Sequence, residues 1–409
     1  MVSRAARLRV RPWPSGRRAL VVLVALFGAF GLASASSALD LLIDDNGAGT
    51  GLELFTPYSI AWDPIGDRVI VPSYENSLVF AISGIGGGTL SIEVLMDATG
   101  DGTHALDGPW GVAVGPDGSV YVSGDNSNNI FRITQAGVKS QIVDQTGTGV
   151  GQPLLSPRGV AIAQNGNVYV AGHASHNVLE IEPGGAVFEI IETLGDGMGN
   201  SLLAPLDVVV DLIGNVYVTG HFSDNVFRID DQGVIEEIVD STGDGQGNGL
   251  SRPWGIDITS QGEVVVAGNA SNNVLQRQAN GNVLEILDVA GDGGTQLVGP
   301  VGVATGFGGV VYVTSSVTDS VFQVRPLEPP ALAADGSGDG MGNLLVGPWG
   351  LDVDGDGNLL VAGVFSYNAF GGTPPPFQPV PGLLAPGVGA ALALLLGAGV
   401  RRLRLARPA

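Results

Sequence analysis

Between residues 39 and 372 the chain alternates apolar and polar positions in short runs of about five residues, each broken by Gly, Asp, Asn or Ser. The stretch GPWGVAVGPDGSVYVSGDNSNNIFRI at 108–133 recurs as SPRGVAIAQNGNVYVAGHASHNVLEI at 156–181 and APLDVVVDLIGNVYVTGHFSDNVFRI at 204–229. It returns as RPWGIDITSQGEVVVAGNASNNVLQR at 252–277 and more loosely from Gly299 and Gly347. The leading prolines Pro57, Pro109, Pro157, Pro205, Pro253, Pro300 and Pro348 lie 52, 48, 48, 48, 47 and 48 residues apart. One period holds four β-type runs, as in WGVAV, SVYVSG, NIFRI and KSQIVD. Such a unit predicts a four-stranded antiparallel propeller blade, because a helical repeat would show 3.6-residue periodicity instead. Asp117-Gly118, Asn165-Gly166 and Ser260-Gln261-Gly262 supply residues that tolerate positive φ where the first hairpin must turn.

An open array would expose strand edges at both ends, so a closed ring is expected. The copy after Pro348 supplies PWGLDV, NLLVAG and YNAF and then stops one strand short. The missing strand is found at Leu39 to Asp44 (LDLLID), which with the NGAGTG that follows copies IEEIVDSTGDGQG at 235–247. The expectation is an all-β, seven-bladed propeller over 39–372, closed by its N-terminal strand, with six blades the fallback if the first or last copy folds otherwise.

The ends have a different character. Arg4, Arg7, Arg9, Arg11, Arg17 and Arg18 precede the apolar run 19–32 and the small residues Ala33-Ser34-Ala35, the layout of a secretory signal peptide over 1–38. A Pro-rich linker, 373–382, leads to an uncharged apolar stretch from Leu383 to Val400 and then to Arg401, Arg402, Arg404 and Arg407. This region, 383–409, is expected to form one transmembrane helix with a cytoplasmic Arg cluster. Its layout resembles the PEP-CTERM type of bacterial sorting tail, with Pro379-Val380-Pro381-Gly382 where that family has Pro-Glu-Pro. The resemblance implies removal of the helix at the cell envelope; a plain membrane anchor is the alternative. Either way the propeller is expected outside the cell.

Composition narrows the chemistry. There is no Cys, which excludes disulfides, thiolate catalysis and Cys-ligated metals. Of the 18 basic residues ten lie in the two terminal segments, so the middle sets 8 bases against 40 acids, a net charge of −32. That field repels nucleic acid and favours cations or basic partners. A monomer without an organic cofactor is expected.

The units PWGVAV, GNVYVAG and HNVLEI resemble NHL repeats over about 39–370. The resemblance implies a propeller of the gluconolactonase and virginiamycin-lyase-like superfamily. The family's Asp after the second strand is here Gly124, Gly172, Gly220 or Gly268, and the Arg of its third strand is Asn129, Asn177, Asn225 or Asn273. Neutral contacts are therefore expected in place of a charge pair within each blade.

Antiparallel order puts the loops between strands two and three, and those between blades, on one face. His104, His173, His176 and His221 fall there, as do the Asp-x-x-Gly-Asp-Gly loops, while the opposite face receives tight turns. Those loops carry Asp97 and Asp101, Asp240 and Asp244, Asp288 and Asp292, and Asp335 and Asp339, with Glu192 and Asp196 as a variant. Asn200, Asn248 and Asn343 follow in three copies. Oxygen donors on Gly-rich loops suit Ca²⁺, but the same residues are ordinary turn formers. The DVDGDGN run at Asp352, Asp354 and Asp356 resembles half of a calcium loop placed in a hairpin turn. His173 and His221 hold equivalent positions in adjacent blades, where two imidazoles could share a metal or simply occupy polar loops.

After the leading prolines come Tyr58, Trp110, Arg158, Leu206, Trp254, Val301 and Trp349, where each innermost strand joins the ring. Tyr58, Trp110, Arg158, Trp254 and Trp349 are candidates to stack on a sugar or aromatic ligand, with wedging between blades as the alternative. Two functions fit. The first is an exported binding or scaffold module for a glycan, a protein or Ca²⁺. The second is a metal-dependent lactonase- or lyase-like enzyme. For it the resemblance implies a metal corner at Asp107-Gly108-Pro109, with Asp207, Asp257 and Asp352 as further oxygen donors over the channel.

Overall fold

A computed structural model describes residues 39–47, 51–85 and 87–374. The leader, most of the Pro-rich linker and the apolar tail lie outside the described residues, and the expectations of export, cleavage and anchoring fall there with them.

The seven periods form seven four-stranded antiparallel sheets arranged as blades around a channel. In blade 2 the strands are Pro109–Val114, Val120–Gly124, Asn129–Ile133 and Lys139–Val143, from the channel outward. Their boundaries agree with the hydrophobic runs because each run ends in a turn residue: Gly118, Gly166 and Gly262 take φ of 73°, 87° and 77°. Blade 7 is closed as expected. Its three C-terminal strands, Pro348–Val353, Leu359–Gly363 and Asn368–Gly372, are completed by Asp40–Ile43. Leu41 pairs with Phe370 and Ile43 with Ala369, and Leu42 and Ile43 are fully buried.

Second strands such as Val120–Gly124 and Val168–Gly172 are buried on both faces, since each blade packs between two others. Apolar clusters therefore span blade pairs: Ile70, Val79 and Met96 of blade 1 pack with Val122, Phe131 and Ile133 of blade 2. Phe80, Phe131, Phe227, Phe322 and Phe370 are fully buried members of third strands. Truncating one of them to Ala costs about 3–5 kcal/mol.

The neutral contacts expected inside the blades are present. Asn177 is buried, accepts from Ser175 Oγ at 2.7 Å, and donates to Pro153 O at 3.1 Å and Glu189 Oε1 at 2.8 Å. Asn129, Asn225 and Asn273 repeat the same triangle. One amide thus ties the second turn, the preceding interblade loop and the outer strand together. Glu189, Glu237 and Glu285 remain as charged members, so the replacement is neutral only on the Asn side.

In five of the seven blades the innermost strands approach one another so closely that the residue after the rim position must lack a side chain; Ser59 and Asp207 take that place in the other two. A Cβ on Gly111 would sit 2.1 Å from Arg158 O, and one on Gly302 would sit 2.3 Å from Trp349 O. This explains the Pro-Trp-Gly pattern by geometry alone.

Candidate functional site at the channel mouth

The upper face carries the loops between second and third strands and those between blades; the lower face carries the remaining turns. At the upper mouth the backbone is bent identically in every blade. The residue before each leading proline is left-handed, with φ of 50° at Thr56, 51° at Ser156, 50° at Ala204 and 48° at Arg252, and glycine at 108, 299 and 347. This conformation is costly for non-glycine residues and persists because neighbours hold it. In five blades its N–H is capped from the previous blade: Asn128 Oδ1 accepts from Ser156 N at 2.7 Å, His176 Nδ1 from Ala204 N at 2.9 Å and Asp224 Oδ1 from Arg252 N at 2.6 Å. Asn272 and Asp319 cap Gly299 and Gly347 likewise. The bend aims the residue after the proline into the mouth.

In alternate blades a hydroxyl then fixes that residue's carbonyl. Ser123 Oγ donates to Arg158 O at 2.8 Å, Thr219 Oγ1 to Trp254 O at 3.0 Å and Thr314 Oγ1 to Trp349 O at 3.2 Å. The rim side chains converge on a funnel floor of about 130 Å³. Tyr58 stacks on Trp110 with centroids 3.8 Å apart, and the Arg158 guanidinium lies 4.2 Å from the Trp110 ring centroid. Trp349 meets Tyr58 at 4.8 Å and Trp254 at 4.9 Å. These five side chains contact one another at the mouth instead of wedging between blades, and all remain partly exposed. Leu206 and Val301, also rim positions, are buried. The indole N–H of Trp349 is buried without a hydrogen-bond partner among the described residues.

The funnel has a polar and an apolar side. On the polar side Asp125, buried, binds Ser156 Oγ, accepts from Tyr74 Oη at 3.1 Å and pairs with Arg158 Nε at 3.5 Å. Burial, followed by the Asp125 charge, pushes the Tyr74 phenol up to about 12, so it stays a donor. On the apolar side Phe222, Val317 and Phe365 stand more than half exposed. Sequence reasoning missed Tyr74, Asp125 and Phe222. Tyr74 and Asp125 directly follow second strands and Phe222 lies one residue further on, so repeat alignment alone could have marked that rim of positions.

The histidines have individual partners. His221 is buried, its Nδ1 lies 3.2 Å from Pro253 O, and its ring packs 5.1 Å from Trp254 and 4.9 Å from Phe222. His173 Nδ1 is buried without a hydrogen-bond partner among the described residues. Burial lowers the His173 pKa to about 4 and moves His221 in the same direction, so both are neutral at pH 7. His176 is a backbone cap, and His104 pairs with Asp101 at 3.0 Å.

The interblade acids are turned onto their own loops. Asp244 Oδ1 accepts from Gln246 N and Asn248 N at 2.8 and 3.2 Å, and Oδ2 accepts from Asn248 Nδ2 at 2.7 Å. Asp339 repeats this with Asn343, and Asp196 bonds Met198 N and Asn200 Nδ2. Asp101 and Asp292 each cap the residues two and three positions on. Asp97, Asp240, Asp288 and Asp335 each cap the residue two positions on. These donors hold Asp97, Asp101, Asp196, Asp244 and Asp339 below the usual carboxylate range. Asp354 caps its hairpin in the same manner. Among the described residues no group of three or more His, Asp or Glu is placed to hold a metal ion.

Asp207, Asp257 and Asp352 lie on innermost strands, and each clips two blades together. Asp207 accepts from Val208 N at 2.9 Å and Ile256 N at 3.2 Å. Asp257 accepts from Ile258 N and Thr305 N, both at 2.7 Å, and Asp352 from Val353 N at 2.8 Å and Trp62 N at 2.7 Å. Burial raises all three pKa values, Asp207 and Asp352 to about 7. Asp207 lines the upper funnel; Asp257 lines a separate cavity below it. Asp107 at the proposed metal corner is approached instead by Ser77 Oγ at 3.5 Å and Asn126 Nδ2 at 3.4 Å.

No protein-family profile matches the chain, and no curated protein matches it by sequence. Solved structures match the fold. Virginiamycin B lyase from Staphylococcus aureus superposes with TM-score 0.62 at 17% identity, covering 81% of this chain and 97% of that one. A streptogramin B lyase gives 0.62 at 14% identity over 81% and 96%, and Kuenenia stuttgartiensis hydrazine synthase 0.55 at 17% over 78% and 96%. Identities this low establish the shared propeller and leave function to the site.

Proposed function

We propose that the protein is an exported binding module of the cell envelope whose upper funnel captures a ring-bearing ligand, in the first instance a glycan. The observation that carries this reading is the partly exposed aromatic floor of Tyr58, Trp110, Trp254 and Trp349 with the Arg158 guanidinium stacked upon it. Aromatic faces take up the apolar face of a sugar, and the Tyr74–Asp125 pair offers a polar edge for its hydroxyls. Export rests on the leader, and retention at the envelope on the tail.

The test is tryptophan fluorescence of the full-length chain titrated with soluble oligosaccharides of cell-wall and matrix type. Trp110→Ala and Trp254→Ala should each weaken binding by about tenfold, as loss of a stacked ring does, with the melting temperature little changed. Absence of any saturable response across the panel would defeat the reading.

A second reading, a metal-dependent lactonase- or lyase-like enzyme, draws on one observation: the Asp207 carboxyl at the funnel floor is held up to about 7 by burial, a value suited to proton transfer near neutrality. Metal-dependent turnover of a lactone panel that Asp207→Asn abolishes would favour it.

A further inference from the structure

The lower end of the channel opens into a cavity of about 660 Å³, larger than the upper funnel floor and within the range of small-molecule sites. It is bounded by the first hairpin turns of blades 4, 5 and 6 and the end of the innermost strand of blade 7. Turn tips elsewhere are polar, as in Pro116-Asp117-Gly118 and Gln164-Asn165-Gly166, apart from Ile65 in blade 1. Around this cavity two of the three turns break that pattern: beside the polar Ser260-Gln261-Gly262, Leu212, Ile213 and Phe307 are 84%, 78% and 71% exposed. Nothing in a hairpin turn calls for such residues, which usually give way to Gly, Asn, Asp or Ser. Large apolar groups gathered at a concavity mark a surface that something covers.

The cavity's charge says what. Asp211, Asp257 and Asp354 line it, and none of its described lining residues is Lys or Arg. Asp211 and Asp354 spend their oxygens on their own turns. Asp257 is held rigidly by Ile258 N and Thr305 N, one bond to each oxygen, which leaves each oxygen a further acceptor site. Asp207 and Asp352, further along the innermost strands, feel its charge, which helps to hold their own carboxyls up.

We propose that this lower mouth is a second binding site, independent of the funnel, for a small organic cation: an apolar body seated on Leu212, Ile213 and Phe307 with an ammonium group directed to Asp257. An anion would meet uncompensated carboxylates. A bare metal ion would find one pre-oriented carboxylate and no convergent set of ligands.

The experiment uses the full-length chain and dansylcadaverine, an apolar fluorophore on a primary amine, read by fluorescence anisotropy against its N-acetylated, uncharged form. Saturable binding of the amine is expected, weakened roughly tenfold by acetylation. Asp257→Asn should bring the amine down to the level of the acetylated probe. Leu212→Ser combined with Phe307→Ser, both on exposed turns, should weaken both probes with the melting temperature unchanged. Trp254→Ala, in the upper funnel, should leave binding intact. Equal binding of the two probes, no saturable binding, or loss through Trp254→Ala while the Leu212/Phe307 variant still binds would each overturn the proposal. If Asp257→Asn fails to fold, the acetylated probe and the turn variant decide alone.

Discussion

The two mouths of the channel are built from the same seven strands and yet differ in kind. The upper mouth is filled: five rim side chains touch, the left-handed bends of five blades are reinforced from their neighbours, and about 130 Å³ remains. The lower mouth is open, about 660 Å³, and Leu212, Ile213 and Phe307 on its turns stand exposed. Seven inner strands set the channel's width, but what blocks or opens it is decided by one residue per blade at the top and one turn per blade at the bottom. A repeat can thus hold its backbone constant and vary the chemistry of its two ends independently.

The largest expected effect removes the comparison altogether. Leu42→Asp places a charge in the strand that closes blade 7, where Leu42 is 1% exposed. A buried unpaired carboxylate costs several kcal/mol, and circular dichroism should show loss of cooperative unfolding. A native melt would mean the ring does not depend on this strand.

Next, breaking the upper clasp should separate the two ends energetically. Asp224→Ala removes the acceptor for Arg252 N, and His176→Ala the one for Ala204 N. Each should lower stability by about 1–2 kcal/mol in denaturant unfolding, whereas Leu212→Ser at the lower mouth should stay within about 0.5 kcal/mol.

The channel aspartates give the third. Their folded pKa values are raised, Asp207 and Asp352 to about 7, so their protonated forms favour the folded state, and that contribution is lost as pH rises through 7. Between pH 6.5 and 8 stability should fall by about 1–2 kcal/mol, a few degrees in melting temperature. Below pH 6.5 the trend should flatten, since His173 and His221 have lowered values and their neutral forms increasingly oppose it. Asp207→Asn with Asp352→Asn should remove the slope above pH 6.5; an unchanged slope would assign it elsewhere.

The smallest effect concerns the acidic loops. Because Asp244 and Asp339 are satisfied by their own loop donors, adding or chelating Ca²⁺ should shift the melting temperature by less than about one degree. A rise of several degrees that Asp244→Asn and Asp339→Asn reduce would restore calcium as a ligand of these loops.

Much of this architecture was legible beforehand. The prolines, the Gly at 118, 166 and 262, and the LDLLID strand each sit at a position where backbone geometry admits few residue types, so their recurrence carries the fold. The rim aromatics were visible as register positions, though not that they meet each other. The role of His176 was not legible, because it depends on a backbone N–H twenty-eight residues away in the next blade. Nor was the lower cavity: a face of tight turns suggested nothing to bind, and only their arrangement around the channel gathers Leu212, Ile213 and Phe307 beside Asp257.

Periodicity and turn chemistry are local properties, repeated often enough along this chain to determine the blades, their number and the strand that closes the ring. Which side chains converge is a matter of distances between blades, and those were decided only when the ring closed. The same Asp that reads as a metal ligand in the sequence becomes a loop cap or a clip between blades, according to which N–H the closed ring sets before it.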